Sequence, residues 1–201
     1  MRRSIVMLVC LGLVSCYGAG KHGGDAALAV YDFGQPVRES SLSGWRGKLA
    51  VEVRAPLWID SPSIGYRLAY AEPKRLREYT QSRWAGPPAQ LVQQRLIRQL
   101  GLIPAGQAGT RCVLRIDIDE FSQVFETPVG SHGVIQARVQ LLDRSRISLA
   151  VQEINIEKPA PSADARGGVA ALTVAVDQLV SDILVWEQQL TGSGKAAPCV
   201  G

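Results

Sequence analysis

Gly192-Ser193-Gly194-Lys195 is a stretch whose residue types could do chemistry, because a glycine-rich loop ending in lysine can cradle phosphates. The spacing fails. The motif's first glycine belongs at position 189, which is Gln189, and Ala196 stands where a Ser or Thr would hold magnesium. The stretch also follows an apolar helical pattern, whereas the motif needs a strand before it and a helix after it. It reads as a tail. Asp117, Asp119 and Glu120 could suggest a cation site, but alternation puts both aspartates on the polar face of a strand and no glycine-rich calcium loop surrounds them. Ser131 beside His132 could pair a nucleophile with a base, yet neighbours on a strand point to opposite faces. The other histidine, His22, lies among glycines, and the spacings of zinc sites are absent. The reading is a non-enzyme, with no catalytic residues, no metal and no cofactor.

The cysteines are more informative. Met1-Arg2-Arg3-Ser4 is a positive start, Ile5 to Leu13 is a short apolar run, and Leu13-Val14-Ser15-Cys16 has the form of a lipobox. That run is too short to span a bilayer, which takes ~20 apolar residues, and suits a cleaved export signal. A thiol is needed at Cys16 because a diacylglyceryl group is attached to sulfur before the signal is cut. The alternative is an ordinary signal with a chance cysteine. Residues 1–15 are thus expected to be a signal peptide and Cys16 the lipid-modified first residue, carrying diacylglycerol and an N-acyl chain. Tyr17 rather than Asp after it favours the outer membrane over the inner one. No later apolar run reads as long enough to cross a membrane, so lipid alone would hold the chain. Cys10 leaves with the signal. Cys112 and Cys199 remain as an even pair in an oxidising space, for which a disulfide is expected and two unpaired thiols are the alternative.

With Arg2 and Arg3 removed the mature chain has 20 basic and 18 acidic residues, near +2, and no basic stripe interleaved with aromatics. Nucleic acid is not an expected partner. The hydrophobic share of 46% and charged share of 20% describe a globular domain.

The elements follow from periodicity. Residues 16–27, rich in glycine, read as a lipid-anchored flexible tether. Residues 28–190 read as a single α+β domain, and 191–201 as a small polar tail. Leu28 to Phe33 is expected to be a first strand. Lys48 to Ala55 alternates, with Leu49, Val51 and Val53 inward. Gly65 to Ala71 sets Tyr66, Leu68 and Tyr70 against Arg67, Glu72-Pro73-Lys74 breaks the pattern, and Leu76 to Tyr79 returns as a hairpin partner. Pro87-Pro88 opens a helix with Val92, Leu96 and Leu100 on one face and Leu91 and Ile97 beside them. Gly101 ends it, with Arg95 and Arg98 favoured near its C-terminus by the helix dipole. Cys112 to Phe121, Val134 to Asp143 and Ser148 to Glu157 are three longer strands, the last two an antiparallel hairpin. In the third, the change of phase from Val151 to Ile154 suggests a bulge. Leu172, Val176, Leu179, Ile183, Trp186 and Leu190 form one apolar stripe on a final helix. The expected architecture is α+β, a mainly antiparallel sheet with two helices packed on one face.

Aromatic residues cluster around turns between positions 55 and 88, among them Trp58, Tyr66, Tyr70, Tyr79 and Trp84. They read either as core packing at strand ends or as a partner-binding rim, for which Trp58, Tyr66, Arg67, Arg83 and Trp84 are the candidate contacts, since Trp, Tyr and Arg are favoured at interface hot spots.

The ordered set of lipobox, Tyr31-Asp32-Phe33-Gly34, Pro56-Leu57-Trp58-Ile59, Tyr66-Arg67, Ser82-Arg83-Trp84 before Pro87-Pro88, Phe121-Ser122-Gln123-Val124-Phe125, the Val134 to Asp143 strand, and Ala170-Ala171-Leu172 leading to Trp186 carries a likeness. It resembles the auxiliary lipoprotein component of ABC-type transport systems, of the paraquat-inducible protein C type, over essentially the whole mature chain. Phe33 stands where a smaller aliphatic is expected, and the Cys112/Cys199 pair is not a hallmark of the family. The resemblance implies a periplasmic subunit anchored at the outer membrane, a homo-oligomer, docking with an Mce-class protein that carries lipid between the membranes. A free-standing periplasmic lipid or solute carrier is the competing reading, and an envelope hydrolase is opposed by the poor supply of catalytic groups.

Overall fold

The computed structural model of the chain describes residues 27–35, 46–107 and 109–200. The signal, Cys16 and nearly all of the expected tether lie outside the described residues. The fold is built on one long strand. The strands are β1 (Ala29–Tyr31), β2 (Leu49–Arg54), β3 (Ser63–Leu68), β4 (Glu72–Trp84), β5 (Ile103–Pro104), β6 (Cys112–Phe125), β7 (Ser131–Leu142) and β8 (Ser148–Pro159). The helices are α1 (Pro88–Leu100), α2 (Ala165–Gly192) and the short α3 (Ala197–Val200), with a 3-10 turn at Arg46–Lys48. β7 pairs antiparallel with one side of β6 along nearly its whole length, and β8 follows β7. The other side of β6 is shared. β2 pairs parallel with Cys112–Asp117, and β3 pairs parallel with Gln123–Phe125. β4 pairs antiparallel with β3, β1 runs parallel to the end of β4, and β5 runs parallel to β2. The longest ladders are antiparallel and the shorter parallel pairings make the sheet mixed.

Both longer helices pack on one face. From β2, Leu49 and Val51 face them; from β6, Leu114, Ile116 and Ile118, then Phe121. The step from even to odd positions comes from a bulge between Ile118 and Glu120 in the β6–β7 ladder, which shifts the inward phase by one residue. Val92, Leu96 and Leu100 of α1 and the expected stripe of α2 meet these strands in a single core. Gly101 closes α1 in the left-handed conformation (φ 67°), donating its N–H to the Ile97 carbonyl. At the start of α2 the Asp164 side chain accepts from the Gly167 N–H at 2.8 Å. The helix then crosses β7 so closely at Gly133 that a Cβ there would lie 2.7 Å from the Leu172 nitrogen.

Several expectations are corrected. By length and composition α2 is long and apolar enough to cross a membrane, so the chain after Cys16 does contain such a run. Its apolar stripe is instead buried against the sheet. The hairpin strand begins at Glu72 itself, tolerating Pro73, and runs on to Trp84. Tyr70 falls in the turn before it and is exposed. β6 reaches Phe125 and β7 starts at Ser131, so their hairpin is longer than its apolar pattern, because Gln123 and Ser131 are buried polar members that satisfy each other. In β8 the irregularity lies opposite Leu141 and Leu142, ahead of Val151, and leaves Val151 exposed. β5 has no periodicity to read. Within the tail, α3 folds back and buries Cys199.

Candidate functional site

No group of three or more His, Cys, Asp or Glu side chains that could hold a metal occurs among the described residues. Ser131 is buried with its hydroxyl accepting from Gln123 Nε2 at 2.7 Å, while His132 is the neighbouring β7 residue opposite Val124. Asp117 faces Arg138 across the β6–β7 ladder on the polar side of the sheet. Gly192 ends α2, and Gly194 turns the chain toward α3. What stands out is a surface where β2 and β3 part.

β2 leaves β6 after Arg54, opposite Asp117, and β3 rejoins it at Tyr66, opposite Gln123. The chain between must cross the gap, and it does so as a fixed turn. The Ile59 and Asp60 N–H groups both donate to the Pro56 carbonyl at 2.9 Å. Ile59 is buried in the core, and the Asp60 carboxylate accepts from the Ala89 N–H at 3.1 Å, in the first turn of α1. With both sides pinned, the tip carries Leu57 at 89% and Trp58 at 67% exposure. Trp58 lies along a shallow cleft with Ser63, Gly65, Leu76 and Glu120.

The five expected contact residues divide. Trp84 is 1% exposed, with its ring edge-on to Phe33 at 5.3 Å and to Phe121 at 5.8 Å, so it is core and offers nothing to a partner. No local signal in the sequence places it, because its burial follows from pairing with Tyr31 of β1, which also packs inward. Tyr66 is half-buried and stacks on Tyr79 at 4.6 Å. Arg67 is paired with Glu120 at 3.0 Å. Trp58 and Arg83 are the two that remain exposed. Tyr79, packed against the core, donates its hydroxyl to Gln123 Oε1 at 2.8 Å, and burial, with Tyr66 and Asp164 nearby, pushes its phenol well above the ordinary range.

Other polar residues hold the frame. Arg95, expected to serve the helix dipole, is buried and reaches sideways. It bonds Asp177 of α2 at 2.6 Å and donates to the Phe33 and Gly34 carbonyls at 3.2 Å, joining the segment after β1 to α1 and α2. Arg46 and Glu187 form a second buried pair at 2.7 Å. On the helix-free face Glu52 meets Arg54, Arg115 and Arg146. Burial alone would raise its carboxyl, but the arginines outweigh it and hold it at about 2. Cys112 and Cys199 are disulfide-bonded, with Cα atoms 5.4 Å apart. A polar recess of about 230 Å³ lies between Asp32–Gly34 and the Gln90, Gln94 and Arg98 side of α1. The apolar space under Trp186 is only about 10 Å³.

The family model for the ABC-type transport auxiliary lipoprotein component matches residues 31–184. The chain belongs to that family, and it is a lipoprotein component of ABC-type transport by that membership. No curated protein matches it. Among solved structures, protein XCC0632 from Xanthomonas campestris is similar in fold, with a TM-score of 0.67 at 20% identity over 84% of this chain and 99% of that one. A second crystal structure, of an uncharacterized protein, gives a TM-score of 0.59 at 14% identity over 78% of this chain and 96% of that one.

Proposed function

We propose that this protein is the docking subunit of an ABC-type, Mce-class lipid transport system, held at the outer membrane by acyl chains on Cys16 and facing the periplasm, where it maintains envelope integrity. The observation that carries the reading is the family match, which runs from the last residue of β1 into α2 and so covers the sheet from β2 to β8. The subunit works as a homo-oligomer that meets a periplasmic Mce-class protein. It contributes contact and not catalysis, and needs no cofactor beyond its covalent lipid. A free-standing carrier would need an apolar cavity, and the apolar space beneath Trp186 has room for about one water. Retrieval of the full-length lipoprotein in mild detergent tests the choice. A docking subunit brings down an Mce-class protein in fixed proportion, whereas a lone carrier brings down lipid without it.

A further inference from the structure

We infer that the helix-free face of the sheet beside β1 is a lipid-contact surface, with the Leu57-Trp58 turn seated in the interfacial layer of the bilayer that holds the protein's own anchor. The inference rests on the lipid anchoring at Cys16 proposed above and adds which side of the domain meets the membrane. Val30 of β1 pairs with Arg83 of β4, and Arg83 pairs with Ser63 of β3. Paired residues share a face. The adjacent Tyr31–Trp84 row faces the core, so this one faces away from the helices. Three neighbouring strands span about 10 Å, and Trp58 continues the row by lining a shallow cleft together with Ser63 and Gly65. One side therefore gathers Val30 at 52% exposure, the exposed Leu28 before it, the exposed Arg83, and the Leu57-Trp58 tip.

The chemistry of this set fits a lipid headgroup boundary. Tryptophan favours that layer because its ring is apolar while its N–H stays near water. An arginine beside it extends its apolar stem and sets its charge among phosphates. The turn is fixed by hydrogen bonds on both sides of its tip, so little order is lost when it is seated. Location selects lipid over a protein partner. Leu28 comes twelve residues after Cys16, a length that reaches at most about 43 Å, and it enters the fold on this side. The other exposed large hydrophobic residues at turns, Tyr70, Val129 and Ile147, fall one each in the β3–β4, β6–β7 and β7–β8 connections, where single exposed residues are ordinary.

The full-length lipoprotein is reconstituted into phosphatidylethanolamine and phosphatidylglycerol vesicles whose acyl chains are brominated near the headgroup, and compared with Trp58→Phe. Flotation with the vesicles reports the anchor, and quenching reports the contact. The expected result is equal flotation and equal thermal melting, with a quenched part of the tryptophan emission that Trp58→Phe removes. A floating protein whose quenching is the same in both forms overturns the contact while leaving the anchor intact. Loss of Mce-class protein recovery in Trp58→Phe with no Trp58-dependent quenching also overturns it and makes the turn a protein interface. A chain that neither floats nor incorporates fatty acid removes the anchoring and the inference together.

Discussion

At the scale of single residues, two tryptophans of similar sequence surroundings have opposite situations. Trp84 fills the space between Phe33 and Phe121, so Trp84→Ala leaves a cavity and is expected to cost about 3–5 kcal/mol. Trp58→Ala removes an exposed ring, and its cost is expected to stay near 0.5 kcal/mol or less. Urea unfolding of both variants measures the contrast, and equal losses would contradict the packing described. Glu52 makes a second residue-scale prediction. Its folded carboxyl titrates at about 2 against an ordinary 4.5, because three arginines outweigh its burial. A lowered carboxylate stabilises the fold above the unfolded value and loses that contribution as pH falls through the folded one. The advantage of the parent over Glu52→Gln should therefore be full at pH 7 and should shrink between about 4.5 and 2. Unfolding curves at pH 7 and pH 3 give the comparison. A gap that stays constant over that range would show that the arginines do not hold the charge.

At the scale of elements, the tail is tied to the sheet by one covalent link. Its return begins with the Ala196 N–H donating to the Leu190 carbonyl, and α3 then brings Cys199 to the first residue of β6. The bond closes a separation of 87 residues, for which the chain-entropy relation gives about 4–5 kcal/mol less any strain. A Cys112→Ser, Cys199→Ser double variant is expected to melt at a lower temperature and to lose protection of the 191–200 segment in hydrogen exchange. A non-reduced digest should yield the linked peptide by mass spectrometry. Free alkylation of both thiols without reductant would rule the bond out. The same scale shows why the helices sit where they do. α2 can lie against β7 because Gly133 leaves room for its backbone, and Arg95 reaches Asp177 to fix α1 beside it.

At the scale of the whole molecule, the lipid anchor proposed at Cys16 is the feature on which the proposed location depends. Cys16→Ser should abolish incorporation of labelled fatty acid and leave unprocessed precursor, while the folded domain keeps its melting temperature, since the described core is built from Tyr31 onward. Normal labelling of that variant would remove the anchor. The sheet also has a design with consequences at this scale. β6 is longer than either partner on its shared side, so the chain between β2 and β3 must leave the sheet, and that departure creates the exposed turn.

The two long helices, the half-buried strands and the class of protein were legible in the sequence alone. Val92, Leu96 and Leu100, and the stripe from Leu172 to Leu190, repeat at the helical period, and such periods arise from local geometry that neighbouring residues carry. The ordered motifs around Trp58, Arg83 and Phe121 carried the family, which the match over 31–184 shows. Tertiary structure alone decided which side chains of those motifs face solvent. Trp84 and Trp58 are both aromatic residues beside turns, and only the pairing of Tyr31 with Trp84 and the Pro56 turn separate core from surface. It alone decided that Arg95 is a buried link, because Asp177 lies 82 positions away. It also decided the shared side of β6, since parallel pairing joins segments that no local pattern connects. Local periodicity fixes which face is apolar, whereas long-range pairing fixes what that face meets.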